Sequence, residues 1–76
     1  MKELVDTIVR GLVDDQDSVD VTEERHGSGL SYEIRVAEPD RGNIIGRGGA
    51  TASALRTLVS GVARRKGLRV EIHILD

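Results

Sequence analysis

The run Ile44-Ile45-Gly46-Arg47-Gly48-Gly49 gathers residue types that suit one kind of chemistry, the capture of a phosphodiester. Three glycines among four positions keep side chains out of the path of a phosphate and permit left-handed backbone angles, so that backbone N–H groups can meet an anion directly. The first amides of a following helix would add positive dipole at the same place, and Arg47 at the tip would add a full charge. Two better-known phosphate loops fit these residues poorly. A P-loop needs Lys and then Ser or Thr after its last glycine, whereas Ala50 follows Gly49 and the lysines are Lys2 and Lys66. A dinucleotide-binding turn would have its third glycine where Thr51 stands, between a strand and a helix of a larger parallel-sheet unit.

Nothing else in the chain suggests bond-making chemistry. There is no cysteine to act as nucleophile, thiolate ligand or disulfide partner. His26 lies beside a predicted turn and His73 on the predicted wet face of a strand, each without the second ligand or base that a metal or catalytic site requires. The serines have no base placed near them by the predicted elements, so the expectation is a protein that is not an enzyme, with no cofactor, no metal and no small-molecule substrate.

The loop must be positioned by its neighbours. Leu4, Val5, Ile8, Val9, Leu12 and Val13 recur at the spacing of one helical stripe. Val19 and Val21, then Leu30, Tyr32, Ile34 and Val36, alternate on either side of His26-Gly27-Ser28-Gly29, which predicts a β-hairpin whose first strand begins near Ser18. Pro39 disfavours helix before it, and Asp40 can cap a short helix over residues 41 to 45. The glycines then break that helix. Ala52, Leu55, Leu58, Val59, Val62 and Ala63 share one face of a second long helix, which the Arg64-Arg65-Lys66-Gly67 run terminates. Leu68, Val70, Ile72 and Ile74 alternate in a last strand. The predicted order is α-β-β-α-α-β: an α+β fold with helices packed on one face of a three-stranded sheet, in a single domain spanning residues 1–76.

In that order the chain resembles the KH family, in which a Gly-x-x-Gly loop between two helices clamps about four nucleotides of single strand. Ile44, Ile45, Gly46, Gly49, Ala52 and Leu55 carry the pattern, and the element order is that of the type II KH fold. More narrowly, the chain is similar to small bacterial single-KH proteins of the KhpA type, including Val36-Ala37 before the short helix and Leu55-Arg56-Thr57-Leu58-Val59 after the loop. The resemblance implies a single-stranded RNA-binding protein, an RNA chaperone or post-transcriptional regulator, working as a homodimer or with a larger KH-containing partner of the KhpB (Jag) type. Contacts to RNA are then expected from Ile45, Gly46, Arg47, Gly48, Gly49, Ala50 and Thr51, with Arg41, Asn43 and Arg56 nearby. Such loops commonly carry Lys where Arg47 stands and further bases in the next turn, where this chain has Gly48, Ala50 and Ser53, so a lightly charged clamp with a shallow salt dependence is expected. The alternatives are a protein-interaction subunit in which RNA is secondary, and a binder of single-stranded DNA.

Charge and composition fit this reading. The net charge is −2, but residues 1–40 hold four bases against eleven acids, and residues 41–76 hold seven bases against two acids. An anionic ligand should therefore meet the second half. Tyr32 is the one aromatic residue, which closes the base-stacking modes of RRM and many OB domains. No export signal and no apolar run of about 20 residues is visible, so a cytoplasmic protein with no membrane association is expected.

Overall fold

The periodicities become α1 (Lys2–Leu12), β1 (Asp20–His26), β2 (Gly29–Arg35), α2 (Arg41–Ile45), α3 (Ala50–Arg65) and β3 (Arg69–Ile74), in a computed structural model that describes residues 1–75. Single 3-10 turns at Gln16–Ser18, Glu38–Asp40 and Arg47–Gly49 punctuate the connections. The expected α+β class and element order are both present. The sheet order is β1-β2-β3, antiparallel between β1 and β2 and parallel between β2 and β3. Register puts Val21, Ile34 and Ile74 in one row and Tyr32 beside Ile72 in another. This face is apolar because alternate residues share it, and it is covered by Val5 and Val9 of α1 and by Leu55 and Val59 of α3. The other face carries exposed Thr22, Glu24, Glu33, Arg35, Glu71 and His73.

Gly27 and Ser28 make the two-residue hairpin turn, with Gly27 at φ 61°, the left-handed first position of a type II′ turn. At the end of α3 the Leu68 N–H donates to Ala63 O at 2.9 Å and the Gly67 N–H to Arg64 O at 3.0 Å, with Gly67 at φ 72°. That is the Schellman arrangement a glycine after the last turn favours. It sends the chain straight back into β3, where the Arg69 N–H donates to Ser28 O at 2.8 Å.

Four details depart from the sequence expectations. β1 starts at Asp20 rather than near Ser18, because the Ser18 N–H and hydroxyl both turn back to Asp15. Val13 lies beyond α1 in extended backbone yet is buried, while Leu12 on the helix is exposed. On α3 the buried positions are Ala52, Leu55, Val59 and Ala63, and Leu58 is left 53 % exposed. A helix resting on one side of a thin sheet buries a narrower stripe than its apolar pattern suggests.

The fourth correction concerns Asp40. It stands at the N-cap position of α2 but makes no capping bond there. Its carboxylate, on a residue only 2 % exposed, instead accepts the backbone N–H groups of Asp14 and Asp15, each at 3.0 Å, and the Asn43 amide at 3.3 Å. It ties the end of α1 to the start of α2. The two backbone donors, more than any other influence, hold its pKa below the ordinary carboxylate value. A carboxyl with a depressed folded pKa contributes stability that is complete above its unfolded value and is lost as pH falls through the folded one. Wild type should therefore lose stability steadily below about pH 4, and Asp40→Asn should show a shallower loss over the same range in urea melts at about pH 7 and about pH 3. Equal acid sensitivity of the two proteins would contradict this role.

The other polar core group is Tyr32, whose hydroxyl donates to Glu23 Oε1 at 3.0 Å across the β1/β2 pair. Burial first, and then the Glu23 carboxylate, push its pKa up to about 12. It serves as core rather than as a stacking platform.

Candidate nucleic-acid interface

The loop begins where α2 is closed by the Gly46 N–H donating to Gly42 O at 2.8 Å. Gly46 then adopts φ 73° and ψ 173°, a region open in practice to glycine alone. A Cβ at this position would run into Thr51 Oγ1, and it would stand 2.7 Å from Thr51 Cβ and 2.8 Å from Thr51 N. Internal packing thus demands Gly46 irrespective of any ligand. Thr51, an expected contact residue, is half-buried as the wall against which Gly46 turns.

Gly48 and Gly49 are different. Both are left-handed, at φ 62°, ψ 19° and φ 80°, ψ 11°, and no heavy atom lies within 4 Å of where a Cβ would project. The Gly49 N–H donates to Gly46 O at 3.1 Å and closes the turn. The result is bare backbone facing open space at the first turn of α3, whose N-terminus has no side-chain cap and no acidic residue. Positive dipole is therefore unopposed there. Arg47 and Ala50 are exposed on either side of these glycines.

Of the adjacent isoleucines, Ile44 is fully buried and Ile45 is 44 % exposed, which separates the core residue from the groove candidate as expected. The remaining expected residues are held by the chain itself. Arg41 Nη2 lies 3.7 Å from Glu38 Oε2, and the Asn43 amide is on Asp40. Arg56 is two turns along α3 from the loop, and its Nε donates to Ile72 O on β3 at 3.3 Å. It stands in a hollow of about 450 Å³ between α3 and β3, lined also by Ser60, Val70 and His73. The hollow is a trough with α3 as one wall and the edge strand β3, including Glu71, as the other.

Ser60 and the β3 residues were not among the expected site residues. Ser60 could have been found, since it stands four residues after Arg56 on the same helical face. The β3 wall could not, because the parallel pairing that makes β3 an edge beside α3 leaves no local mark in the sequence.

Among the described residues no helix is long and apolar enough to cross a membrane. The chain matches, over residues 2–74, the family described as "KhpA/KhpB, KH domain". It is 41 % identical over 76 residues to the "RNA-binding protein KhpA" of Chlamydia pneumoniae, covering 100 % of this chain and 97 % of that one. It is 46 % identical over 72 residues to the protein of that name from Mycobacterium tuberculosis, covering 95 % of this chain and 89 % of that one. The protein of that name from Halalkalibacterium halodurans is 42 % identical over 76 residues, 100 % of both chains. No solved structure matches. With its element order, its glycine turn between two helices and relatives matched along nearly their whole length, this chain belongs to the KhpA/KhpB family of KH-domain proteins.

Proposed function

We propose that this protein is a non-enzymatic binder of single-stranded RNA, in which the turn from Gly46 to Gly49 takes the nucleic-acid backbone. The observation that carries the reading is the pair of open, left-handed glycines, Gly48 and Gly49, at the uncapped start of α3. Arg47 neutralises phosphate, the α3 amides add dipole, and the exposed Ile45 offers a base an apolar surface. Arg56 acts from the trough wall rather than from the loop. The names of the relatives support RNA as the ligand. Within a cell the protein would act in the cytoplasm as an RNA chaperone or post-transcriptional regulator, as a homodimer or with a larger KH-containing partner.

Fluorescence anisotropy with an unstructured RNA, its duplex and the equivalent single-stranded DNA tests this directly. Single-stranded RNA is expected to bind at least about tenfold better than duplex, which cannot enter a trough open to one strand. No preference over duplex would refute the reading, and an equal response to DNA would extend the ligand class to single strands in general.

A second reading, that the domain is chiefly a protein-interaction subunit, is favoured by Leu58. It is 53 % exposed on the outer side of α3, beside the half-buried Val62 and with Gly61 between them. The two readings use different faces of α3 and are compatible.

A further inference from the structure

We propose that a second backbone-binding surface lies at the hairpin end of the molecule, formed by Arg64, Arg65, Lys66 and Arg69, and that it lengthens the RNA track beyond the glycine turn. The proposal rests on the RNA-binding reading above.

The fold brings these residues to one end of the molecule, Arg64, Arg65 and Lys66 at the end of the helix layer and Arg69 at the start of β3 on the open sheet face beside Glu71. Arg64 and Arg65 end α3, Lys66 follows, and Arg69 opens β3 opposite Gly29 of the hairpin. Arg25 joins them from β1, its Nε donating to Gly27 O at 3.1 Å. No hydrogen bond or ion pair among the described residues engages the side chains of Arg64, Arg65, Lys66 or Arg69. The carbonyls of Ala63 and Arg64 already accept backbone N–H groups in the Schellman turn, so the side chains are not needed to cap these two, and what they give the helix end is a favourable interaction with its dipole. Two acids border the patch on the open sheet face, and each sits near a histidine two residues along its strand: Glu24 at 3.4 Å from His26 and Glu71 at 3.3 Å from His73.

The other end of the molecule has the opposite balance. Asp14, Asp15, Asp17, Asp20 and Glu38 gather near the start of β1 and the start of α2, on the side of the glycine turn. At the turn itself Arg47 is the cation in place, since Arg41 lies against Glu38 and Arg56 is tied to β3. A polyanion held at the turn therefore finds most of its neutralising charge at the far end of α3, about 24 Å away along 16 residues. The trough carrying Arg56, with Glu71 in its lining, lies along α3 between the two. A clamp on about four nucleotides would stop within the trough, whereas a longer strand would reach the hairpin end.

The test compares RNAs of about 4 and about 12 nucleotides, in wild type and in R64Q/R65Q/K66Q/R69Q, by anisotropy over a range of salt. The short RNA is expected to bind the variant within about twofold of wild type, and the long RNA to lose about tenfold or more. The slope of log K against log salt for the long RNA should become shallower by about three, at about 0.7 for each of the four phosphate contacts removed. R64K/R65K/R69K should keep wild-type behaviour, which separates charge from any loss of fold seen by circular dichroism. An unchanged long-RNA affinity and slope overturn the proposal. So does loss of a salt-sensitive self-association in sedimentation with RNA binding intact, which would assign the patch to the acidic end of a second copy. If wild type binds neither RNA, the RNA-binding reading fails with it, a result distinct from equal binding of the two lengths.

Discussion

Replacing both Arg47 and Gly48 by aspartate is expected to remove measurable binding of single-stranded RNA while leaving the fold in place. The turn changes from one positive charge to two negative ones, at the point where phosphate must come against bare backbone. Each like-charge contact at about 4 Å costs about 1 kcal/mol in bulk water and about 4 kcal/mol in the partly desolvated setting of a protein surface. Two such contacts, with the loss of the Arg47 contact, amount to a hundredfold or greater loss of affinity. The structure also explains why folding survives. Gly48 has open space around it and a left-handed backbone that aspartate tolerates better than most residues, and acids at a helix start are favoured by its dipole. The measurement is anisotropy alongside circular dichroism. Binding within about twofold of wild type, with the spectrum unchanged, would remove the turn from the interface.

Gly46→Ala should act through the fold instead. The substitution meets a backbone conformation reserved for glycine, at a cost of about 1–3 kcal/mol, and drives a methyl group into Thr51, which adds about 1–3 kcal/mol of overpacking. Domains of this size have little margin, with total stabilities toward the low end of about 5–15 kcal/mol. The urea midpoint should therefore fall sharply. Gly48→Ala provides the contrast: its space is open, so only the left-handed penalty of about 1–2 kcal/mol applies. A midpoint shift at Gly46 no larger than that at Gly48 would show that the close approach to Thr51 relaxes freely. The pair separates two uses of glycine that share one motif, one structural and one facing the ligand.

Much of this fold is legible in the sequence. The six main elements, the short helix over residues 41–45 and the turn after it follow from apolar spacing and from glycine and proline placement, because these act through local backbone preference. Ile45 is the groove residue that the family resemblance implies, and the fold leaves it exposed while burying Ile44; spacing alone does not choose between them, since adjacent residues can share one apolar stripe. Asp40 was misplaced because a carboxylate before a helix is ordinarily read as its own cap, and the competing donors, Asp14 and Asp15, come from more than twenty residues away. Leu58 was misread because periodicity reports which side of a helix is apolar, and not how much of that side finds a partner.

Apolar spacing and glycine placement along the chain suffice to put a bare, glycine-built turn between two helices, with most of the bases in the second half. How those bases divide in space, with Arg47 at one end of α3, Arg56 along it and Arg64 to Arg69 at the other, depends on the packing. The Schellman turn and the parallel return of β3 carry Arg64, Arg65, Lys66 and Arg69 to the hairpin end, leaving Arg47 at the glycine turn on the acidic side. The reason is physical. Backbone preference is a property of neighbours along the chain, whereas a charged surface is a property of neighbours in space, set by how strands pair and which way a helix runs.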